Sequence, residues 1–177
     1  MKLLIVDCRL LIGVALLAAS LAGVTVHAET LDRVMAVVAG QIITLTDVVA
    51  ARDLGLETPG NAADPNRAVL SKLIDRELIL AEVERYAPPE PTADAVDREV
   101  AAVRTRFVSQ AALDAALARS GIDERHLRET LRQDLRIRAY LDQRFNGTED
   151  RRQALIDEWL AGLRRRADVI DLYIATR

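Results

Sequence analysis

The chain has 177 residues, half of them hydrophobic, with 24 basic and 27 acidic residues and a net charge of −3 at pH 7. This length suits a single domain of ordinary size. A mildly acidic balance argues against nucleic acid as a partner, because a nucleic-acid-binding domain is expected to present a clustered basic face.

Residues 1–28 have the composition of a secretory signal peptide. A short charged start precedes an apolar run, and small residues precede the expected cleavage between Ala28 and Glu29. An uncleaved membrane anchor is the alternative, but the run of about 15 residues is shorter than the roughly 20 that a spanning helix needs. Cleavage would remove Cys8, the only cysteine. The mature domain, residues 29–177, is therefore predicted to be periplasmic and free of disulfides.

The mature chain begins with a predicted β-hairpin. Residues 31–45 are rich in β-branched and aliphatic side chains, with Gly40 near the centre, which is typical of two strands joined by a turn. Ala39 precedes the glycine, and alanine disfavours the positive φ that a two-residue primed turn needs at both central positions. The sequence therefore leaves the turn type open between this primed turn, a type II turn with Gly40 at its third position, and a longer loop.

Six helices are predicted to follow, from capping residues and from apolar side chains at helical spacing. The predicted caps are Thr46, Asp64, Thr92, Ser109, Asp123 and Thr148. Gly55 is predicted to end the first helix, and Asn146-Gly147 separates the fifth helix from the sixth. Ile122 and Leu127 lie one residue before and four residues after the fifth cap, which is the spacing of a hydrophobic staple.

A final strand is predicted over Asp168–Ala175, which is rich in β-branched residues. The simplest arrangement pairs Val169–Ile174 with the hairpin at residues 31–45, because an isolated strand is not stable. The predicted fold class is mostly α (α+β), with about six helices and a small antiparallel sheet formed by the N-terminal hairpin and the C-terminal strand. The single domain would comprise an N-terminal part, residues 29–145, and a C-terminal helix and strand, residues 148–175.

Three segments resemble the SurA-type periplasmic chaperones. The mature form of those proteins begins with the pattern D-x-V-x-A-V-V-N-G-x-x-I-T-x-S-D-V, and Leu31–Asp47 of this chain reads LDRVMAVVAGQIITLTD. Tyr140–Phe145 is similar to the end of the last helix in the family's N-terminal part, and Trp159–Val169 is similar to its C-terminal return. The resemblance covers nearly the whole mature chain. It implies one core module that holds unfolded polypeptide, with outer-membrane protein precursors as the client class.

Two departures from the family pattern bear on function. Ala39 stands where the family usually carries Asn, and only the thirteen residues 146–158 separate Phe145 from Trp159. In the family, parvulin isomerase domains of roughly a hundred residues are placed there. Isomerase activity by this chain alone is therefore not expected, and an enzymatic role would require a catalytic domain supplied in trans.

No catalytic residue, cofactor or metal site is predicted elsewhere. His126 is the only histidine of the mature chain and is expected on a helix surface, because one histidine without cysteine does not make a usual zinc site. The serines lack a nucleophile-elbow context, and no glycine-rich phosphate loop is present. No later segment is long and apolar enough to insert stably in a membrane.

The candidates for client contact are aromatic side chains, for which core packing is the alternative. They are Phe107, Tyr140, Phe145 and Trp159. The predicted function is chaperone-like binding of unfolded or extended polypeptide in an apolar groove. The alternative is a structural or adaptor protein that forms a homodimer or docks onto a separate isomerase or envelope assembly factor.

Overall fold

The computed structural model describes residues 32–174, which form six helices and one three-stranded antiparallel sheet. The elements are β1 (Val34–Val38), β2 (Gln41–Thr44), α1 (Leu45–Asp53), α2 (Pro65–Tyr86), α3 (Ala93–Arg104), α4 (Gln110–Arg119), α5 (Glu124–Arg144), α6 (Glu149–Arg166) and β3 (Val169–Asp171). The predicted fold class is confirmed. The predicted signal peptide and its cleavage site between Ala28 and Glu29 lie outside the described residues. None of the helices described combines the length and the apolar character that crossing a membrane requires.

The sheet joins the two ends of the described chain. Its strand order is β2-β1-β3, so the hairpin and the last strand pair as the sequence predicts, but β3 covers only Val169–Asp171 and is shorter than the predicted strand Asp168–Ala175. β3 runs antiparallel to β1 and places Ile170 opposite Val37, while β2 places Ile42 opposite the same valine from the other side. A bulge between Val34 and Ala36 shifts the register at the start of β1. β1 is thus paired on both edges, and β2 and β3 form the two edges of the sheet.

The hairpin turn, whose type the sequence leaves open, contains two residues with positive φ. Ala39 has φ 49° and Gly40 has φ 85°, and β1 and β2 pair directly up to Val38 and Gln41. Positive φ at both central residues defines a type I′ turn, which is the primed turn and not the type II turn or the longer loop. The right-handed twist of the paired strands favours the primed turn, and this preference outweighs the cost of a left-handed alanine. The Ala39 N–H also donates to the Asp168 carbonyl oxygen at 3.2 Å, which ties the turn to β3.

The first helix begins two residues earlier than predicted. Thr44, and not Thr46, is the N-cap, and its side-chain oxygen accepts a hydrogen bond from the Asp47 N–H. The Asp47 carboxylate accepts in turn from the Thr44 N–H at 2.8 Å, which completes a capping box. This reciprocal pair satisfies two backbone donors, whereas a cap at Thr46 would satisfy one. Gly55 follows the helix end with φ 65°, as predicted.

Four of the other five predicted caps are confirmed by side-chain hydrogen bonds to the first turns of their helices. They are Asp64, Thr92, Ser109 and Asp123. Thr148 occupies the predicted N-cap position of α6, but its side chain makes no capping hydrogen bond. Ile122 and Leu127 both pack in the same apolar cluster, as the predicted staple requires.

The buried side chains form three clusters. The first lies between the inner face of the sheet and α1, α2 and α6, and contains the fully buried Met35, Val38 and Leu70. The second joins α3, α4 and α5 to the end of α1, around Leu113 and Leu127. The third is smaller and lies between α2 and α5, with half-buried side chains of α6 packed against it. Together they place α2 at the centre of the domain.

A polar lock holds the C-terminal strand to the start of α2. The Tyr173 hydroxyl donates to Asp64 Oδ2 at 2.6 Å, and the Arg67 guanidinium pairs with Asp171 and lies 5.5 Å from the centroid of the Tyr173 ring. The hydrogen bond from Tyr173, together with the Arg67 N–H, lowers the pKa of the Asp64 carboxyl below its ordinary value. The same hydrogen bond raises the pKa of Tyr173.

The turn generates the first prediction. Replacing Ala39 with Asn should raise the free energy of unfolding by about 1 kcal/mol, because asparagine tolerates the left-handed conformation better than alanine. Urea unfolding followed by circular dichroism measures the change. Ala63→Asn is the matched control, since Ala63 is exposed in a loop and does not have positive φ. Equal stability changes at both positions would contradict the strain argument.

The lock generates the second prediction. Because the pKa of Asp64 is lowered in the folded state, its contribution to stability is present above the ordinary aspartate pKa and is lost as the pH falls through the folded value. Tyr173→Phe removes the largest cause of this shift, so the variant should lose less stability between neutral and acidic pH than the unaltered protein does. Unfolding curves of the variant and of the unaltered protein at several pH values between 2 and 7 measure this difference in stability. Parallel pH profiles for the two proteins would show that the hydrogen bond does not act as described.

Candidate functional site

A groove of about 610 Å³ runs along the free edge of β2. Ile42 and Ile43 both line it, although neighbouring residues of a strand point to opposite faces of the sheet. A groove that touches both side chains must therefore meet the strand at its edge. β1 occupies the other edge of β2, so within the described residues the groove faces the side of β2 that has no strand partner.

Helices α1 and α2 line the groove with apolar side chains and with the charged Asp47, Arg76, Glu77 and Glu84, and α5 lines it with polar side chains. Helix α1 contributes Ala50 and Ala51, and α2 contributes Leu73 and Leu80. The polar wall from α5 consists of His126, Glu129, Thr130 and Gln133. His126 is exposed on this wall, in agreement with its predicted place on a helix surface. Apolar side chains with polar groups among them are a common lining of ligand and peptide grooves.

An arginine network in the groove holds α2 against α5. Arg76 donates from Nε to Asp134 at 2.8 Å, from Nη1 to Glu77 at 2.7 Å, and from Nη2 to Gln133 at 2.9 Å. Its Nη2 also donates to the Thr130 carbonyl oxygen at 3.2 Å. Burial acts to lower the pKa of Arg76, but the carboxylates of Asp134 and Glu77 hold it above the ordinary arginine value. These bonds fix the separation of the two helices that form the walls of the groove.

Glu77 is the member of this network whose ionised form is disfavoured. Its carboxylate shares Arg76 with Asp134, so two negative charges face one positive charge. Burial raises the pKa of Glu77 above its ordinary value, more strongly than the pairing with Arg76 lowers it, and Asp47 adds to the repulsion. Ionisation of Glu77 is therefore disfavoured in the folded protein relative to the unfolded chain.

Three of the four predicted client-binding residues lie together at one end of the molecule. Tyr140, Trp159 and Phe145 form a series of neighbouring rings, with centroids 6.1 Å apart for the first pair and 5.4 Å apart for the second. Tyr86 extends the series, with its centroid 5.5 Å from that of Tyr140 and 58% of the residue exposed. We call these four residues the aromatic cluster. Tyr140 is buried and the rings of Phe145 and Trp159 are half-buried, so the cluster belongs partly to the core and partly to the surface.

Phe107 lies elsewhere. It is half-buried in the turn between α3 and α4 and packs against the second core cluster. The structure therefore does not bring Phe107 together with the other three candidates, and for this residue the core alternative describes its surroundings. Tyr86 was missed from the sequence, where its position at the end of a helix before Ala87 and two prolines could have marked it as partly exposed.

The outer face of the sheet is apolar as well. Ile42, Val37 and Ile170 form one row across the three strands, and Ile42 and Ile170 are 59% and 50% exposed. Leu172 and Ile174 are also exposed, and their alternation with polar residues continues that of β3. We call these five residues the outer sheet face. A solvated face of an antiparallel sheet is normally polar, so an exposed apolar row indicates a surface for association.

Comparison of the chain with protein-family models and with curated proteins gives no match. The resemblance of Leu31–Asp47 to SurA-type chaperones therefore stays a prediction from the sequence. Within residues 32–174, no group of three or more His, Cys, Asp or Glu side chains is arranged to hold a metal ion. The groove beside β2, the aromatic cluster and the outer sheet face are the features of the described structure that bear on function.

The third prediction tests the charge balance of the groove. Glu77→Gln should leave the free energy of unfolding at pH 7 equal or higher, because the folded state disfavours the ionised carboxylate. The raised pKa means that this cost disappears as the pH falls below the ordinary glutamate value, so the variant's advantage should shrink in acid. Urea unfolding at pH 7 and at about pH 3.5 measures both effects. A loss of more than about 1.5 kcal/mol at pH 7 would instead mean that the Arg76 hydrogen bond dominates.

Proposed function

We propose that this chain is an exported, chaperone-like module that binds unfolded or extended polypeptide. The carrying observation is the groove at the edge of β2, in which the strand edge without a partner lies beside apolar side chains of α1 and α2. An extended chain placed there can hydrogen-bond to the backbone of β2 and direct alternate side chains onto the apolar surface. The similarity of Leu31–Asp47 to SurA-type proteins supports the same function and suggests outer-membrane protein precursors as clients.

Binding of this kind is weak at each position and independent of sequence. β2 has four residues, and an antiparallel edge directs the backbone groups of about every second residue outward, so pairing adds only a few hydrogen bonds. Each such bond contributes a net of about 0.5–1.5 kcal/mol. Several weak contacts along a client would hold it without folding it and would release it without nucleotide. This suits a holdase.

A second candidate function is supported by the outer sheet face. Its row of Ile42, Val37 and Ile170 would be buried if the sheet packed against a second copy of the chain or against another envelope protein. In that case the domain would act as a structural or adaptor protein. The two functions use different surfaces, and only Ile42 belongs to both.

The fourth prediction tests the holdase function. A urea-unfolded β-barrel protein is diluted into buffer with increasing amounts of the purified protein, and light scattering reports aggregation. We expect suppression at near-stoichiometric ratios. Ile42→Lys should weaken it about tenfold, because it removes an apolar contact worth roughly 1.5–3 kcal/mol from the groove and adds a charge at the strand edge.

Two control substitutions separate the surfaces. Ile170→Lys changes the outer sheet face but not the groove, and Val108→Lys places the same charge on a residue that is 99% exposed and far from both. If only Ile42→Lys weakens suppression, the groove holds the client. If the protein does not suppress aggregation and light scattering shows a dimer that both Ile42→Lys and Ile170→Lys disrupt, the adaptor function replaces the holdase function.

A further inference from the structure

The aromatic cluster holds a cation as well as rings. The Arg144 guanidinium lies 5.9 Å from the ring centroid of Tyr140, 5.6 Å from that of Phe145 and 5.5 Å from that of Trp159. These distances are within the range of cation–π attraction, and three rings around one guanidinium restrict where it can lie. Arg144 is nonetheless exposed, so its N–H groups can be reached from solvent.

Arg144 differs from the other arginines of its helix. The five others on α5 each form an ion pair with a carboxylate; they are Arg125, Arg128, Arg132, Arg136 and Arg138. No carboxylate among residues 32–174 forms an ion pair with Arg144. The rings position its charge without neutralising it, and none of its five donors is used by an anion of the described domain.

A second donor in the cluster is also without a partner. Tyr140 is 5% exposed, and its hydroxyl proton has no acceptor within the described residues. Burial raises the pKa of this hydroxyl and the neighbouring Arg144 guanidinium only partly offsets the rise, so the hydroxyl stays protonated and remains a donor at neutral pH. Both groups of the cluster that lack an acceptor, the Arg144 guanidinium and the Tyr140 hydroxyl, are donors. A buried donor without an acceptor is unfavourable. The ligand that complements them must supply acceptors and negative charge.

The rings of the cluster favour an aromatic group in the ligand beside its negative charge. Tyr86 is more than half exposed at one end of the cluster, and Phe145 and Trp159 are half-buried beside Arg144. An aromatic side chain can stack on these faces, while an adjacent carboxylate can accept two parallel hydrogen bonds from the guanidinium. Glu82 is the carboxylate on α2 that acts on Tyr140, and it is itself paired with Arg85.

We propose that the aromatic cluster and Arg144 form a binding site for a carboxylate that lies next to an aromatic side chain in a polypeptide. The inference rests on the proposed function, and names the chemistry that one of its sites selects. The carboxylate can come from the C-terminus of the client or from an aspartate or glutamate beside an aromatic residue. Arg144 supplies the charge, and the rings supply the apolar contact and hold the guanidinium in place.

Trp159 is the only tryptophan of the chain and lies in the site, so its fluorescence reports binding directly. The purified full chain is titrated with two tryptophan-free peptides, acetyl-Gly-Ser-Val-Phe with a free carboxylate and the same peptide as its amide. We expect the acid to bind at least tenfold more tightly than the amide. A third peptide, acetyl-Gly-Phe-Asp-Gly amide, distinguishes the sources: binding like the acid admits side-chain carboxylates, and binding like the amide restricts the site to a chain terminus.

Arg144→Gln should reduce binding of the acid to the level of the amide. Arg151→Gln is the matched control, because Arg151 is exposed at the start of α6, contacts none of the rings as a cation and loses the same charge. Circular dichroism checks that each variant is folded. If Arg144→Gln does not fold, the comparison of the acid and amide peptides on the unaltered protein still tests the inference.

Equal binding of acid and amide, or no fluorescence response to either at millimolar concentration, would overturn the inference. The aggregation assay keeps this outcome apart from the proposed function, because that assay depends on Ile42 in the groove. Suppressed aggregation without a preference for the acid would remove only the carboxylate site. Failure of both assays would remove the holdase function as well.

Discussion

The antiparallel pairing of β3 with β1 is the contact on which the other features depend. It brings the last described strand against the first, and α6, which precedes β3, is thereby laid against α2. That placement carries Trp159 to the end of α5, where it meets Tyr140. The same pairing uses the second edge of β1 and leaves β2 at the border of the sheet. One short strand of three residues thus determines both where the groove lies and where the aromatic cluster forms.

Ion pairs add to core packing in holding α2 and α5 together. Arg76 links α2 to α5 at the groove, and Arg136 of α5 pairs with Glu84 of α2 and with Glu90 in the connection after α2. These contacts are charge-assisted and partly buried, so they are stronger and more directional than surface pairs. They fix the separation of α2 and α5, and the groove lies between these two helices. Arg144 differs because it lies against the rings of Tyr140, Phe145 and Trp159 in place of a carboxylate.

The helices could be predicted from local chemistry, and the sites could not. Asp64, Thr92, Ser109 and Asp123 act as caps because each satisfies a nearby backbone donor, which depends only on neighbouring residues. The cap at Thr44 was misplaced because the carboxylate of Asp47, three residues on, rewards the earlier start. The type of turn at Ala39 stays open in the sequence because strand pairing, a longer-range effect, decides it. The groove and the role of Tyr86 follow from how helices dock, which no local pattern records.

The closeness of the two ends has a consequence for the order of the chain. Ala36 lies opposite Asp171, so the start and the finish of the described domain are neighbours in space, while Asn146 and Gly147 form an exposed connection on the helical side. A covalent bridge between residues 32 and 174, with new ends opened at this connection, would preserve every strand pair and every helix. The fold therefore allows circular permutation of the sequence. It also allows insertion of another domain between α5 and α6 without rearrangement of the sheet.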